Sequence, residues 1–292
     1  MSQAIALLGI FLPGLCYWAW FGDEKDDAGE ALAAIFGVSL SFTALAALFG
    51  FLLRLPFGPN KQFAYWLGFS LLTLLGLVFN RKRFKPGWGL AIALIGLAGL
   101  LAWRFWQAAE LVLPNWVDSL HHSLIVRKMV EARGLSASLE PYLPGNFYYH
   151  YGFHAFAALY ALFSGEFAPF AVLFLGQILN VGVSLSVYAF AKTLTGSWKI
   201  ALLAGLLTAF TTKMPGYYLS WGRYTLLAGI LLMPLAMSFG LKVLRGEGKP
   251  GRLAGLAMLT AGTLLTHYFN AFLLAIFFVL LGLVWLAKGR AD

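Results

Sequence analysis

"GFHAFAALYALF", residues 152–163, decides how this chain is threaded. It is apolar enough to enter a membrane. At ~1.5 Å per residue, however, it covers about 18 Å of a hydrocarbon core ~30 Å thick. Such a run either extends backwards through the aromatic residues before it or dips in and returns to the side it came from. The choice sets the side on which everything after it lies, and the charges of the flanking loops make it.

The chain has 292 residues, is 60% hydrophobic and has a mean hydropathy of +0.77. Only 11% of its residues are charged, against roughly 25% in soluble domains. A soluble fold cannot hide so much apolar surface, so the class is an integral, multi-pass membrane protein. Because backbone groups in lipid must be satisfied within each segment, the fold class is all-α, a polytopic bundle of about 9–10 membrane segments. Candidate spans are 3–21, 31–53, 63–80, 88–112, 169–191, 198–212, 225–244, 252–268 and 270–287. The net charge of +9 does not point to nucleic acid, because the basic residues cluster in short loops between apolar runs, as topology signals do. The single cysteine, Cys16, excludes a disulfide framework within the chain. The first apolar run lacks a basic region before it and reads as a retained helix rather than a cleaved signal.

Lys and Arg orient the spans. "RKRFK" (81–85), "LKVLRGEGKPGR" (241–252) and "KGR" (288–290) are expected on the cytoplasmic side. The span 88–112 then runs outward and delivers Asp118 and its neighbours outside. The stretch "TTKMPGYYLSWGRYT" (211–225) and His267 fall on the same face, and the Lys192/Lys199 loop falls inside. An odd number of crossings is left between 150 and 192, so 152–163 is the segment expected to dip without spanning. The organisation follows: a three-helix segment over 1–87, then a membrane module over 88–292 with an extracytoplasmic loop at 113–150. The acidic stretch "GDEKDDAGE" contains an acidic-x-acidic pattern, Glu24-Lys25-Asp26. With Asp27 and Glu30 beside it, it reads as a solvated acidic loop on the side away from Asp118 rather than a metal signature.

Four of the five histidines lie between "LPNWVDSLHHSLIVRK" (113–128) and "NFYYHYGFH" (146–154). Asp118 and His122 are four apart, as are His150 and His154, and on a helix each pair would share a face. His121 and His122 are neighbours about 100° apart on a helix, so only one can turn toward the site, and the spacing favours His122. Ionisable groups at membrane depth are costly and mark functional sites.

The order of parts is an apolar helix ending in "LPNWVD", a polar loop "HHSLIVRKMVEARGLSASLEPYLPG", and re-entry at "NFYYHYGFHAF". Over about residues 88–268 it resembles the polytopic glycosyltransferases of the GT-C fold, which include protein O-mannosyltransferases and oligosaccharyltransferases. That resemblance implies a sugar donor on a polyprenyl phosphate, met within the membrane plane, and an acceptor on the extracytoplasmic face. Asp118 matches the family's catalytic acidic residue, and His122 is expected in the catalytic set with it, to orient Asp118 or help bind a metal. Arg223, and after it Lys213, would bind the donor phosphate. His150, His154 and His267 would line the substrate site, and Trp221 and Tyr224 would stack on a sugar or mark the interface. The expected location is a prokaryotic plasma membrane. The chain departs from the pattern where many members carry a second acidic residue, since His121 and His122 stand there. It also stops at "KGRAD", where family enzymes continue, so a fragment, a split subunit with a partner, or an inactive relative is expected. Two other classes remain open. A transporter or channel would use the polar residues within spans, Gln177, Asn180 and Asn270. A metal-binding membrane protein would hold a divalent ion with Asp118, His122, His150 and His154, although no H-E-x-x-H is present.

Overall fold

The computed structural model describes residues 2–81, 87–147, 149–213 and 216–288. The stretch 82–86, and with it most of the basic loop at 81–85, lies outside the described residues, as do 289–292. Among the described residues, twelve α-helices carry the fold: α1 (Gln3–Phe21), α2 (Ala28–Leu52), α3 (Pro59–Phe79), α4 (Trp88–Gln107), α5 (Val117–Ala132), α6 (Gly152–Ser164), α7 (Ala168–Thr195), α8 (Trp198–Phe210), α9 (Gly216–Ser220), α10 (Tyr224–Lys242), α11 (Pro250–Thr266) and α12 (Tyr268–Lys288). A π turn (Val243–Glu247) continues α10. The only extended pairing among these residues is an isolated bridge between Ser138 and Asn146. The protein is an all-α, multi-pass membrane bundle. Helices α1, α2, α3, α4, α7, α10 and α12 are long and apolar enough to cross a bilayer. Helices α3, α4 and α12 are apolar yet mostly exposed, as helices facing lipid are.

The bundle has two chemically different ends. At one, the loop before α2 meets the ends of α7 and α10 and the start of α11. Asp27 caps α2 in a reciprocal capping box with Glu30. It also accepts from Tyr188 (2.5 Å) and Lys192 (3.2 Å). Lys242 binds Asp26 at 2.7 Å and Glu30 at 2.8 Å, and Arg252 binds Asp23 at 3.0 Å and Glu247 at 2.7 Å. The acidic stretch is therefore no solvated loop. Glu30 and Arg252 are buried, and the carboxylates are paired with cations brought from up to 229 residues away. A buried charge persists only when paired and hydrogen-bonded, so this network latches the N-terminal helices onto the rest of the bundle.

At the other end, α5 lies with its first turn near the loop before α10 and the junction of α11 and α12. Helices α1, α2, α3, α4, α7, α8, α10, α11 and α12 run between the two ends. Two of them are short: at ~1.5 Å per residue α8 covers about 20 Å and α11 about 26 Å. Helix α6 does not run between them. Its start meets α11's last turn, where Tyr151 N–H donates to Leu265 O at 3.0 Å. Just past its end, Glu166 accepts from Gln3 at the start of α1 (2.9 Å). Both partners are at the Asp118 end, so α6 is a short buried helix that begins and finishes at that end and does not cross. The turn back is made by Gly165 at φ +79°, followed by Pro169 in the first turn of α7.

Candidate functional site

Asp118 stands in the first turn of α5, where the exposed N–H groups and the helix dipole favour a carboxylate. Its partner is Arg223, the residue before α10, with Nη1 at 3.3 Å from Asp118 Oδ2. Both side chains are only partly covered, 43% and 36% exposed. The guanidinium also lies 4.6 Å over the Trp221 ring. What brings the two segments together is Gly222. Its φ of +67° suits glycine, and a methyl group placed there would lie 2.7 Å from Ser119 Oγ and 3.1 Å from Ser119 N. The chain before α10 thus presses its backbone onto the start of α5, and Arg223 reaches Asp118.

Behind this pair lies a buried histidine dyad. His122 Nδ1 and His154 Nε2 are 2.8 Å apart, and both rings are inside the protein. His122 also bonds the Gly222 backbone, which ties the dyad to the same close approach. Burial pushes His122 down to about 4, against the pull of Asp118, so it is neutral at physiological pH. Helical geometry assigns the neighbours as expected: His122 is buried and His121 exposed. Asp118 and His122 share the surface of α5 as expected, yet each side chain takes its hydrogen-bond or ion-pair partner elsewhere. Asp118 turns to Arg223 and His122 to His154. His150 precedes α6 and is not on its helical surface. Its ring packs at a tilt against His267 (centroids 4.6 Å, 58°) and against Tyr149 (3.8 Å, 31°). Burial, then the neighbouring His267 and His122, push His150 down to about 3. Tyr268 stacks flat on His267 (5.3 Å, 12°).

The other expected residues divide. Trp221 sits under Arg223. Tyr224 is fully buried and stacked on Phe153 (5.5 Å, 16°), so it forms the wall behind the site rather than a surface for a sugar. Lys213 is exposed one turn before α9, and its carbonyl accepts from Tyr217 N–H. Gln177, Asn180 and Asn270, the polar residues within spans, are all buried; Asn270 lies in the first turn of α12, at the Asp118 end, and donates to Leu226 O. Among the described residues no group of three or more His, Cys, Asp or Glu side chains is arranged to hold a metal ion, so the four-residue ligand set does not assemble. Sequence reasoning missed Gly222, Tyr149, Tyr268 and Arg104. Arg104 is buried at the end of α4, where it donates to Ala209 O and Gln107 Oε1 and fixes the end of α8. An arginine within an apolar span was the available signal.

The polar atoms at this end are under-satisfied. His150 Nε2, Arg223 Nε, Thr266 Oγ1 and His267 Nδ1 are buried and have no hydrogen-bond partner within the protein, whereas His154 bonds the His150 backbone. Buried polar groups are nearly always paired, so this group of atoms stands apart from the paired acidic end.

These features define a polytopic helical membrane protein with an Asp–Arg pair and neutral histidines at one membrane edge. Residues 38–292 match a protein family described as "Family of unknown function (DUF6541)", and the chain belongs to it. No curated protein and no solved structure matches it.

Proposed function

We propose that this protein is a membrane glycosyltransferase that moves a sugar from a polyprenyl-phosphate donor to an acceptor hydroxyl on the extracytoplasmic face. The observation that carries the reading is the Asp118–Arg223 pair, a carboxylate and a guanidinium 3.3 Å apart, partly exposed at the start of α5, beyond the end of α4. The acceptor oxygen attacks the sugar's anomeric carbon, the bond from that carbon to the phosphate oxygen breaks, and the polyprenyl phosphate leaves with the electron pair. Asp118 takes the acceptor's proton. Arg223 offers its planar fork to the phosphate oxygens as their charge grows. In the free protein the two groups hold each other. A donor phosphate that engages Arg223 frees the carboxylate for its role as base, so donor binding and base activation are one event. His122 and His154, being buried, position the start of α5 against α6 and are positioning residues. The plasma membrane of a prokaryote is the location this reading expects.

The test is turnover of a lipid-linked sugar by the full chain in proteoliposomes, beside donor affinity. Asp118→Asn is expected to abolish transfer and leave donor binding nearly unchanged. Arg223→Ala is expected to weaken donor binding by about 10- to 150-fold, the equivalent of a lost charge-assisted hydrogen bond. Normal turnover in Asp118→Asn would remove the catalytic assignment.

A further inference from the structure

We propose that the groove between α2, α3, α5 and α6 holds one acyl chain of an anionic phospholipid, whose phosphate sits at Arg54, Lys61 and Arg133. This goes beyond the glycosyl-transfer reading and concerns a different part of the surface. Asp118 and Arg133 lie at opposite ends of α5, about 22 Å apart along its axis at ~1.5 Å per residue. The groove has a volume of about 450 Å³ and is lined by apolar side chains, among them Phe42, Phe69, Met129, Leu159 and Leu162. That is within the size range of small-molecule sites, about 300–1,000 Å³.

Its shape fits a lipid of one leaflet. The lining follows α2 from Arg54 at the Asp118 end down to Phe42. At ~1.5 Å per residue those twelve steps span about 18 Å. Half of a ~30 Å hydrocarbon core is about 15 Å. An acyl chain entering at the rim therefore has apolar walls over its leaflet's depth.

The rim supplies the charge. Arg54 and Arg133 both line the groove, and both are exposed. Lys61 joins them, with Nζ 2.8 Å from the carbonyl of Pro56, a lining residue. Among the described residues none of the three cations is in an ion pair; the nearby Glu131 is held by Arg127 and Lys128. Two helix ends, those of α2 and α5, point partial negative charge of about half a unit each at the rim. Three cations outweigh it and leave an excess of roughly two positive charges for an anion. The backbone is also unusual. Arg54 (φ +54°) follows the end of α2, and Arg133 (φ +50°) caps α5, both in the left-handed region where glycine is cheaper. Phe57 N–H donates to Arg133 O at 2.7 Å and ties the two turns together. A cation at a helix end accounts for the charge but not for two left-handed arginines facing one apolar slot.

The experiment is native mass spectrometry of the full chain, released from bilayers of equal phosphatidylglycerol and phosphatidylcholine. One phosphatidylglycerol per chain is expected to be retained, over phosphatidylcholine by at least tenfold. The pair Arg54→Gln and Arg133→Gln should remove that preference. Ala46→Trp, at an exposed position in the groove, should expel the lipid while the charges stay. Lys199→Gln, at the opposite end of the bundle, should retain it as the parent does. Equal retention of the two lipids, or unchanged retention in Ala46→Trp, would overturn the proposal. Displacement by equimolar polyprenyl phosphate would also overturn it, by making the groove a donor site. Asp118→Asn should bind the phospholipid normally, so failure of the transferase reading leaves this result standing.

Discussion

Replacing Gly222 by alanine tests whether one backbone contact assembles the site. The residue sits at φ +67°, and its added methyl would lie 2.7 Å from Ser119 Oγ and 3.1 Å from Ser119 N. The left-handed backbone alone costs an alanine about 1–2 kcal/mol. The steric term adds to this, because Ser119 Oγ is held by Asn115 O and cannot turn aside without losing that bond. Relief comes by moving residues 221–224 away from α5. That widens the Asp118–Arg223 gap and breaks the bond from His122 to Gly222, which costs about 1 kcal/mol more. The total is a loss of roughly 2–3 kcal/mol in unfolding stability, measured by denaturation in detergent micelles. The Asp118–Arg223 coupling, measured by a double-mutant cycle, should fall toward zero from a starting value of at most about 1 kcal/mol, as expected for a partly exposed pair. Adding Ser119→Ala removes the 2.7 Å clash but not the backbone strain, so it should recover part of the loss. Parent-like stability in Gly222→Ala, or no recovery with Ser119→Ala, would refute the reasoning.

Two further outcomes follow from the same structure. His122 is neutral in the folded protein with its value near 4, whereas an unfolded histidine titrates near 6.5. Stability should be flat above pH ~6.5 and fall between there and pH 4, by up to about 1.4 kcal/mol per pH unit for each such histidine, with His150 adding in the same direction. Denaturation curves from pH 8 to 4.5 should therefore be shallower in His122→Gln, and an identical pH slope would count against burial of a neutral ring. Cysteines placed at Ser138 and Lys25 should label from opposite sides of the membrane, Ser138 from outside; labelling from one side would collapse the two-ended topology.

Most of the helical frame was legible because spanning segments must carry their own hydrogen bonds and apolar surface, both of which are local properties. The starts and ends of α1 and α10 follow the apolar runs within two residues, while α3 begins and α7 ends about four residues beyond theirs. Even α6 was readable, since its deficit in length and the Lys/Arg count point to the same non-crossing segment. The acidic loop was misread for a reason of range. Asp23, Asp26, Asp27 and Glu30 look solvated in a local window, and their partners Lys192, Lys242 and Arg252 lie more than 160 residues on. Spacing rules likewise failed at His150, because i,i+4 applies only once both residues are on the helix, and α6 begins at Gly152.

The contrast between the two ends explains why the titratable groups gather where they do. At the acidic end the buried carboxylates and cations are paired with one another, as a structural latch requires. At the Asp118 end, four buried polar atoms on His150, Arg223, Thr266 and His267 have no partner within the protein. The topology makes this arrangement available. Because α6 returns to the side it came from, His150 and His154 stay at the same edge as Asp118 instead of being carried across, and α11 brings His267 back to meet them. A spanning α6 would have placed α7 in the opposite direction and put Lys192 beside Asp118, away from Asp27. The short run at 152–163 therefore fixes both ends at once: it leaves the acids of the α1–α2 loop their cations, and it gathers the histidines around the Asp118–Arg223 pair.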